Sequence, residues 1–125
     1  MRDVNAALYQ FWSGFGVPAY RSGRVPDDAV LPYITFDAAV GEFGYRTILT
    51  AYNWHKAPGA TAAAADLLDA IARKIPNSGF MLPVDGRGYM LIYRNGGEFQ
   101  SYVEDEMDKD VIGGRTSYEA HFFLM

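Results

Sequence analysis

The sequence contains no cysteine, which excludes disulfide bonds and zinc sites built on thiolates. No apolar stretch approaches the ~20 residues that a helix needs to cross a bilayer. Residues 1–5 lack a basic segment followed by a long apolar run, so we expect no signal peptide. Basic charge is sparse: the net charge is −4, and no basic cluster exceeds Arg73 and Lys74. A nucleic-acid-binding domain usually carries a basic face, so tight binding of DNA is not expected.

What the chain does contain is typical of one folded domain. It has 125 residues, half of them hydrophobic and 15% aromatic. A chain of this length buries roughly two-thirds of the surface that it exposes when unfolded, which is enough for a stable core without disulfide bonds or other cross-links. We find no internal repeat, low-complexity run or linker, and we therefore predict a single domain over residues 1–125.

The amino-terminal half predicts two helices with two strands between them. Apolar residues at helical spacing indicate a first helix over residues 3–15, with Asp3 as its amino-terminal cap. Residues 17–20 form a short extended piece and residues 38–44 a turn or bulge. The strands are expected at residues 33–37 and 45–54, and the connector 55–60 leads into a second helix over residues 62–75. Pro76 ends that helix because the residue before a proline disfavours the helical conformation.

The carboxyl-terminal half predicts strands. Residues 80–84, 89–93, 99–103 and 116–125 are apolar or alternating, and Asp85-Gly86 and Asn95-Gly96 are dipeptides of hairpin turns. Residues 104–114 are interpreted as an acidic loop. The expected fold class is α+β, with two helices packed on a mostly antiparallel or mixed sheet in two layers.

No constellation of residues predicts catalysis. His55 and His121 have no spacing that requires a shared metal site. The acidic run from Glu104 to Asp110 lacks the central glycine and the closing glutamate of an EF-hand loop. We therefore expect no catalytic residue, no metal and no cofactor, and we predict that the protein is not an enzyme. A small α+β hydrolase or ligand-binding domain, using Asp27, Asp28 or His121, stays open as an alternative.

Aromatic residues predict packing and, in one case, recognition. Most of them are expected in the core or on a sheet face. Trp54 lies near a strand end, beside His55 and Lys56, where a core residue is less expected. Because tryptophan is common at the centre of protein interfaces, Trp54 is the preferred candidate for an interface anchor.

Three segments together resemble a known family. They are Val30-Leu31-Pro32-Tyr33-Ile34 before the first main strand, Ala51-Tyr52-Asn53-Trp54 at the end of the second, and the Ala- and Leu-rich helix from Ala63 to Ile75. In this order they resemble the tail terminator, or tail completion, proteins of long-tailed bacteriophages. The acidic loop before a last alternating strand also resembles the layout of that family.

The resemblance implies a structural protein of the virion that assembles in the host cytoplasm. It implies a homo-oligomeric ring, most simply a hexamer, at the head-proximal end of the tail tube. Such a ring stops tube polymerisation, offers a surface to the head–tail connector protein and lets the genome pass through its lumen. A connector or adaptor ring component stays open as an alternative. The candidate interface residues are Arg46, Trp54, His55, Lys56, Arg87, Glu104, Asp105, Glu106, Asp108 and Arg115.

Overall fold

The computed structural model describes residues 2–39 and 46–124, with the backbone but not the side chain of Arg46. Most of the predicted turn at 38–44, and the first and last residues of two predicted strands, Tyr45 and Met125, lie outside these ranges. The elements are α1 (Arg2–Trp12), a 3₁₀ turn (Ser13–Phe15), β1 (Ala19–Arg21), β2 (Tyr33–Phe36), β3 (Arg46–Lys56), α2 (Ala60–Lys74), β4 (Phe80–Val84), β5 (Gly88–Arg94), β6 (Gln100–Glu104) and β7 (Val111–Leu124).

The two helices lie close to their predicted positions. Helix α1 begins at Arg2, so Asp3 lies in its first turn and the prediction that Asp3 is the cap is wrong. The Asp3 carboxylate instead lies 3.5 Å from Arg87. Helix α2 begins two residues earlier than predicted, directly after Gly59, and ends at Lys74 before Pro76. Arg73 and Lys74 occupy its last turn, where positive charge favours the helix dipole.

All seven strands belong to one sheet, with β7 at its centre. The order is β1-β2-β3-β7-β5-β4, and β6 pairs with β7 on the same side as β5. Strand β6 covers residues 112–116 of β7, and β5 covers residues 118–124. Ser117 lies between them: its N–H donates to the carbonyl of Phe99 (2.7 Å) and its carbonyl accepts from the N–H of Asn95 (3.1 Å).

The sheet therefore consists of two rows that share β3 and β7. We call β1-β2-β3-β7-β6 the five-strand row and β3-β7-β5-β4 the four-strand row. Strand β2 pairs with residues 51–54 of β3, which places it in the five-strand row. Among the described strands, β1 and β2 pair in parallel and the other pairs are antiparallel. The predicted α+β class, with two helices on a mostly antiparallel sheet, is confirmed.

Both helices contribute buried side chains to a core on one side of the sheet. Many strand residues that point to this side are buried, among them Ile34, Phe36, Leu49, Ala51, Met90, Ile92, Tyr118 and Ala120. Trp12 of α1 is fully buried, and its Nε1–H donates to the Tyr118 hydroxyl at 3.3 Å. Among the described residues, neither helix combines the length and apolarity that crossing a bilayer requires.

Two predicted loops are shorter in the structure because strands continue into them. Strand β3 runs to Lys56, so His55 and Lys56 are strand residues and not part of a connector. Strand β7 begins at Val111, so the acidic loop spans only residues 105–110. Gly113 and Gly114 fall within the predicted loop 104–114, but they are residues of β7. In the strand they leave room for Trp54 and Leu68, whose atoms would lie 2.7 and 2.6 Å from an added Cβ.

Candidate interaction surface

The side of the sheet opposite the helices carries exposed apolar and aromatic side chains. Alternation along each strand determines which side chains point there. In β3 they are Ile48, Thr50, Tyr52, Trp54 and Lys56, because Leu49, Ala51, Asn53 and His55 point to the helices. The pairing register then adds residues of the neighbouring strands, namely Tyr33, Thr35, Met81, Pro83, Tyr89, Leu91, Tyr93, Ser101, Val103, Val111, Gly113, Arg115, Ser117, Glu119, His121 and Phe123. We call this side the helix-free face.

Large apolar side chains on this face are open to solvent. Ile48 is 57% exposed, Met81 56% and Phe123 48%. They lie in neighbouring rows of the pairing register. Ile48 is opposite Glu119 of β7, Met81 is opposite Leu91, which is opposite His121, and Phe123 is opposite Tyr89. Single exposed apolar residues are ordinary, whereas a group of them on one face is typical of a surface that contacts another molecule.

Aromatic pairs order this face at both ends. Tyr89 stacks on Phe123 with ring centroids 5.1 Å apart and an interplanar angle of 19°. At the other end Tyr52 stacks on Trp54, with ring centroids 5.5 Å apart and an interplanar angle of 14°. Stacked rings on a sheet are held rigidly by their cross-strand neighbours, so they offer contact area at a low entropic cost.

Trp54 is held by three strands. Its indole ring lies over Gly113 of β7, and its Nε1–H donates to Thr35 Oγ1 of β2 at 3.3 Å. The indole ring also stacks on the ring of Tyr52, which belongs to β3 like Trp54 itself. The side chain is only half-buried, which agrees with its prediction as an anchor but does not test that role.

The acidic loop between β6 and β7 is built by local hydrogen bonds. Asp105 Oδ1 accepts from the N–H of Met107 at 2.8 Å, and Asp108 Oδ1 accepts from the N–H of Asp110 at 2.9 Å. Asp108 Oδ2 also lies 3.5 Å from Lys56 Nζ. The bond from Asp110, and then the charge of Lys56, lower the pKa of the Asp108 carboxyl. These carboxylates therefore order the loop.

A groove of about 450 Å³ joins this loop to the helix-free face. It is lined by Tyr52, Trp54, Val103, Glu104, Asp105, Glu106 and Met107. Met107 is 93% exposed. The structure thus brings six of the ten predicted interface residues into one corner of the molecule: Trp54, Lys56, Glu104, Asp105, Glu106 and Asp108.

His55 does not belong to this corner. It is only 6% exposed, because strand alternation places it on the helix side. Its Nε2 lies 2.7 Å from Asn53 Oδ1, while Asn53 Nδ2–H donates to the Gly114 carbonyl at 3.3 Å. The Asn53 oxygen must then accept, so His55 Nε2 carries the proton. Burial lowers the His55 pKa. His55 is therefore a core residue, and its prediction as an interface residue is wrong.

Of the remaining predicted interface residues, Arg87 and Arg46 lie away from the corner, whereas Arg115 lies beside it, opposite Tyr52. Arg87 lies in the β4–β5 hairpin beside Asp3. Arg115 lies on the helix-free face, 4.0 Å from Glu98. Arg46 begins β3 opposite His121, and its side chain lies outside the described atoms.

The residues of the alternative hydrolase hypothesis occupy different elements. Asp27 and Asp28 are exposed in the connection between β1 and β2. His121 lies on β7 with its ring 5.1 Å from that of Tyr93 and its Nε2 3.9 Å from the Glu119 carboxylate. Within residues 2–39 and 46–124, no group of three His, Asp or Glu side chains is placed to hold a metal ion.

The corner and the helix-free face were only partly predictable. Trp54 and the acidic residues were singled out from their position and charge. Ile48, Met81, Phe123 and Tyr52 were missed as surface residues, although the alternation of β3 was the signal that divides its two faces.

Comparison of the chain with protein-family models, with curated protein sequences and with solved structures finds no match.

Proposed function

We propose that this protein is a structural component of a bacteriophage virion that assembles into a ring at the head-proximal end of the tail tube. In this role it ends tube polymerisation and presents the surface to which the head is joined. The lateral partner is a second copy of the chain, and the axial partners are the tube protein and the connector protein. The proposal makes surfaces, and not a reaction centre, the working part of the molecule.

The observation that carries the proposal is the helix-free face. A two-layer α+β domain normally leaves a polar surface on the uncovered side of its sheet. Here that side exposes Ile48, Met81 and Phe123 and is ordered by two stacked aromatic pairs. Leaving such groups in water is unfavourable, at roughly 25 cal/mol per Å² of apolar area, and burial against a partner removes that cost.

The charge distribution supports a role around DNA that does not include binding it. Five of the seven residues 104–110 are acidic and one is lysine. This segment alone accounts for the net charge of −4, since basic and acidic residues are equal in number in the rest of the chain. A channel wall without a basic face lets a polyanion pass without holding it.

The segments that resemble tail terminator proteins are neighbours in the fold. Tyr33, from the first segment, is paired with Trp54, from the second, across β2 and β3. The third segment is α2, which packs on β3 and β7. The resemblance thus extends over contiguous structure, and this contiguity supports the assignment.

The experiment follows assembly and its effect on tubes. Native mass spectrometry of the purified protein is expected to show a closed oligomer, alone or once tube protein is added. Electron microscopy is expected to show the protein at one end of tubes that have stopped growing. A protein that stays monomeric under both conditions would overturn the proposal. Density at the capsid portal and none at tube ends would assign the connector role instead.

A matched pair of variants tests whether the helix-free face binds a partner protein. Ile48→Lys places a charge on the helix-free face, and Val30→Lys places one in the β1–β2 connection, where Val30 is 79% exposed. Both positions are open, so both variants are expected to fold normally by circular dichroism. Only Ile48→Lys is expected to weaken capture of tube or connector protein, by about tenfold or more. Equal binding by the two variants contradicts the role of this face.

A further inference from the structure

Strand β6, at one end of the five-strand row, has backbone groups that point away from the sheet. The N–H of Asp105 donates to the Val111 carbonyl at 3.2 Å, so residues 101, 103 and 105 face β7. Alternation then directs the N–H and C=O groups of Tyr102 and Glu104 outward. Both residues are exposed, Tyr102 by 58%. Within the described ranges, no strand pairs with this outer side of β6.

The other two outer strands are less suited to pairing with an added strand. Strand β1 is only three residues long, and Ala19 at its start is 4% exposed, which leaves little of its backbone accessible. In β4 the Val84 carbonyl accepts from the Arg87 N–H, so Val84 faces β5 and Pro83 faces outward. Proline has no N–H to donate and blocks strand addition. The outer strand that stays open to pairing is therefore β6.

The groove beside the acidic loop lies next to this open edge. Trp54, Gly113 and Val103 form one row across β3, β7 and β6 on the helix-free face. Because Gly113 has no side chain, the Trp54 ring lies over β7, and Trp54 and Val103 both line the groove of about 450 Å³. A strand paired with β6 would direct alternate side chains to the helix-free face, beside Val103 and at the mouth of the groove.

The lining of the groove is suited to a positively charged side chain. On one side the rings of Tyr52 and Trp54 are stacked, and on the other lie the carboxylates of Glu104, Asp105 and Glu106. Aromatic faces attract cations, and the planar guanidinium group of arginine also pairs with carboxylates. The described lining contains three carboxylates and no basic side chain.

The basic side chains beside the groove lie near carboxylates outside its lining. Lys56 Nζ is 3.5 Å from Asp108, and Arg115 is 4.0 Å from Glu98. Among the described residues, the exposed carboxylates at 104 and 106 form no ion pair. The negative charge of the groove is thus complementary to a basic partner. The chain's own outer strands are poor occupants, because β1 and β4 are closed and β6 is itself acidic.

We propose that β6 and the groove beside it form a docking site for an extended basic segment of another protein. The segment adds a strand to the β6 edge and places an arginine or lysine side chain in the groove that Trp54 and Glu104 line. Main-chain hydrogen bonds supply affinity, and the groove selects the side chain, as in other cases of strand addition. This inference goes beyond the proposed function, since the site requires neither a ring nor a tail tube.

The experiment titrates the full chain with an acetylated, amidated peptide of sequence Thr-Val-Thr-Arg-Thr-Val-Thr. Its valines and its arginine share one face of a strand. The chain has two tryptophans. In nuclear magnetic resonance spectra the indole N–H of Trp54 and the amide of Tyr102 are expected to shift, whereas the buried indole of Trp12 stays unchanged. A peptide with glutamate in place of arginine is expected to bind about tenfold more weakly or less. Equal binding of the two peptides overturns the preference for a basic segment.

Two methylated forms of the arginine peptide test the strand pairing. One form is methylated on the nitrogens of the valines and the arginine, and the other on the nitrogens of the threonines between them. Alternate N–H groups of a strand point to the same side, so only one form loses the bonds to β6. That form is expected to bind about tenfold more weakly than the other. Equal affinities of the two forms overturn strand addition.

A matched pair of variants tests the groove. Glu104→Gln with Glu106→Gln neutralises its two unpaired carboxylates, and Asp66→Asn with Asp69→Asn makes the same change in net charge at exposed positions of α2. Both are expected to fold normally by circular dichroism. Only the first is expected to weaken binding of the arginine peptide, by about fivefold or more. Equal binding by the two variants overturns the groove as the site of the basic side chain.

The outcomes separate this inference from the proposed function. A protein that stays monomeric but binds the arginine peptide overturns the ring and supports the docking site. If the protein assembles and the assembled form no longer binds the peptide, a second copy occupies the β6 edge. That result overturns the assignment of the site to another protein while ring formation stands.

Discussion

The indole ring of Trp54 packs closely on Gly113 of the neighbouring strand. A Cβ added at position 113 would lie 2.7 Å from Cε3 of the indole and 2.8 Å from the backbone carbonyl oxygen of Asn53. The glycine therefore determines how closely the ring approaches the sheet. The ring in turn forms one wall of the groove beside the acidic loop.

Gly113→Ala is expected to destabilise the fold by about 1–3 kcal/mol, because the added Cβ would come too close both to the ring and to a backbone oxygen. Urea unfolding followed by circular dichroism measures the change. Gly96→Ala is the control, because an added Cβ there meets no described atom within 4 Å. Equal midpoints for the two variants contradict the close contact.

Tyr118→Phe is expected to cost about 1–3 kcal/mol, because it leaves the Trp12 Nε1–H buried without its acceptor. The double variant Trp12→Phe, Tyr118→Phe removes donor and acceptor together, so its loss is expected to be smaller than the sum of the single losses. Burial also raises the pKa of Tyr118, so its phenol is expected to stay protonated in alkaline solution until the protein unfolds. Additive losses in the cycle contradict coupling between the two residues.

Arg94 closes the carboxyl end of α2 from outside the helix. Its Nε–H donates to the Ile75 carbonyl at 2.7 Å and its Nη2–H to the Ala72 carbonyl at 2.9 Å. Arg94→Lys keeps the charge but loses the fork that reaches both oxygens, so a loss of about 1–2 kcal/mol is expected. Thermal unfolding measures the effect of both changes. Arg73→Lys, at an exposed position of α2, is the control, and it is expected to shift the unfolding midpoint by less than a third of the shift that Arg94→Lys causes.

The stability of the protein is expected to fall as pH decreases below 6.5, the ordinary pKa of histidine. Burial lowers the pKa of His55 in the folded state, so in this range the unfolded chain binds the proton more readily than the folded one. The free energy of unfolding then rises with pH, by up to about 1.4 kcal/mol per pH unit, and the contribution is complete above 6.5.

Urea midpoints between pH 8 and pH 5 measure this dependence, a range that stays above the titration of ordinary carboxylates. His55→Gln removes the titrating group and is expected to flatten the curve, whatever it does to the absolute stability. An unchanged slope in this variant assigns the pH dependence to another group.

Much of the fold was predictable because local patterns determine it. The apolar spacing of α1 and α2 and the alternation of β2, β3 and β7 identify these elements without knowledge of their neighbours. Pro76 and the glycine-containing turns end the elements where they are expected. The start of β7 was predicted too late: Gly113 and Gly114 fall in the predicted loop 104–114, but in the structure they are strand residues that make room for Trp54 and Leu68.

The strand order was not predictable from local patterns. That β7 accepts β6 along one half and β5 along the other depends on contacts between residues far apart in the chain. The same holds for the candidate surface. Alternation separates Ile48 and Trp54 from Leu49 and Asn53, but only the packing of both helices on one side shows which set faces solvent. The prediction for His55 was wrong because the sequence does not show which side of β3 is buried.

The position of β7 in the chain has a consequence for biosynthesis. Strands β3, β5 and β6 are all translated before β7, and each needs it as a hydrogen-bonding partner. While the ribosome is still making β7, these strands lack that partner and the sheet is incomplete. The central strand of the sheet is therefore the last of the described strands to be made, and the sheet cannot be completed before it.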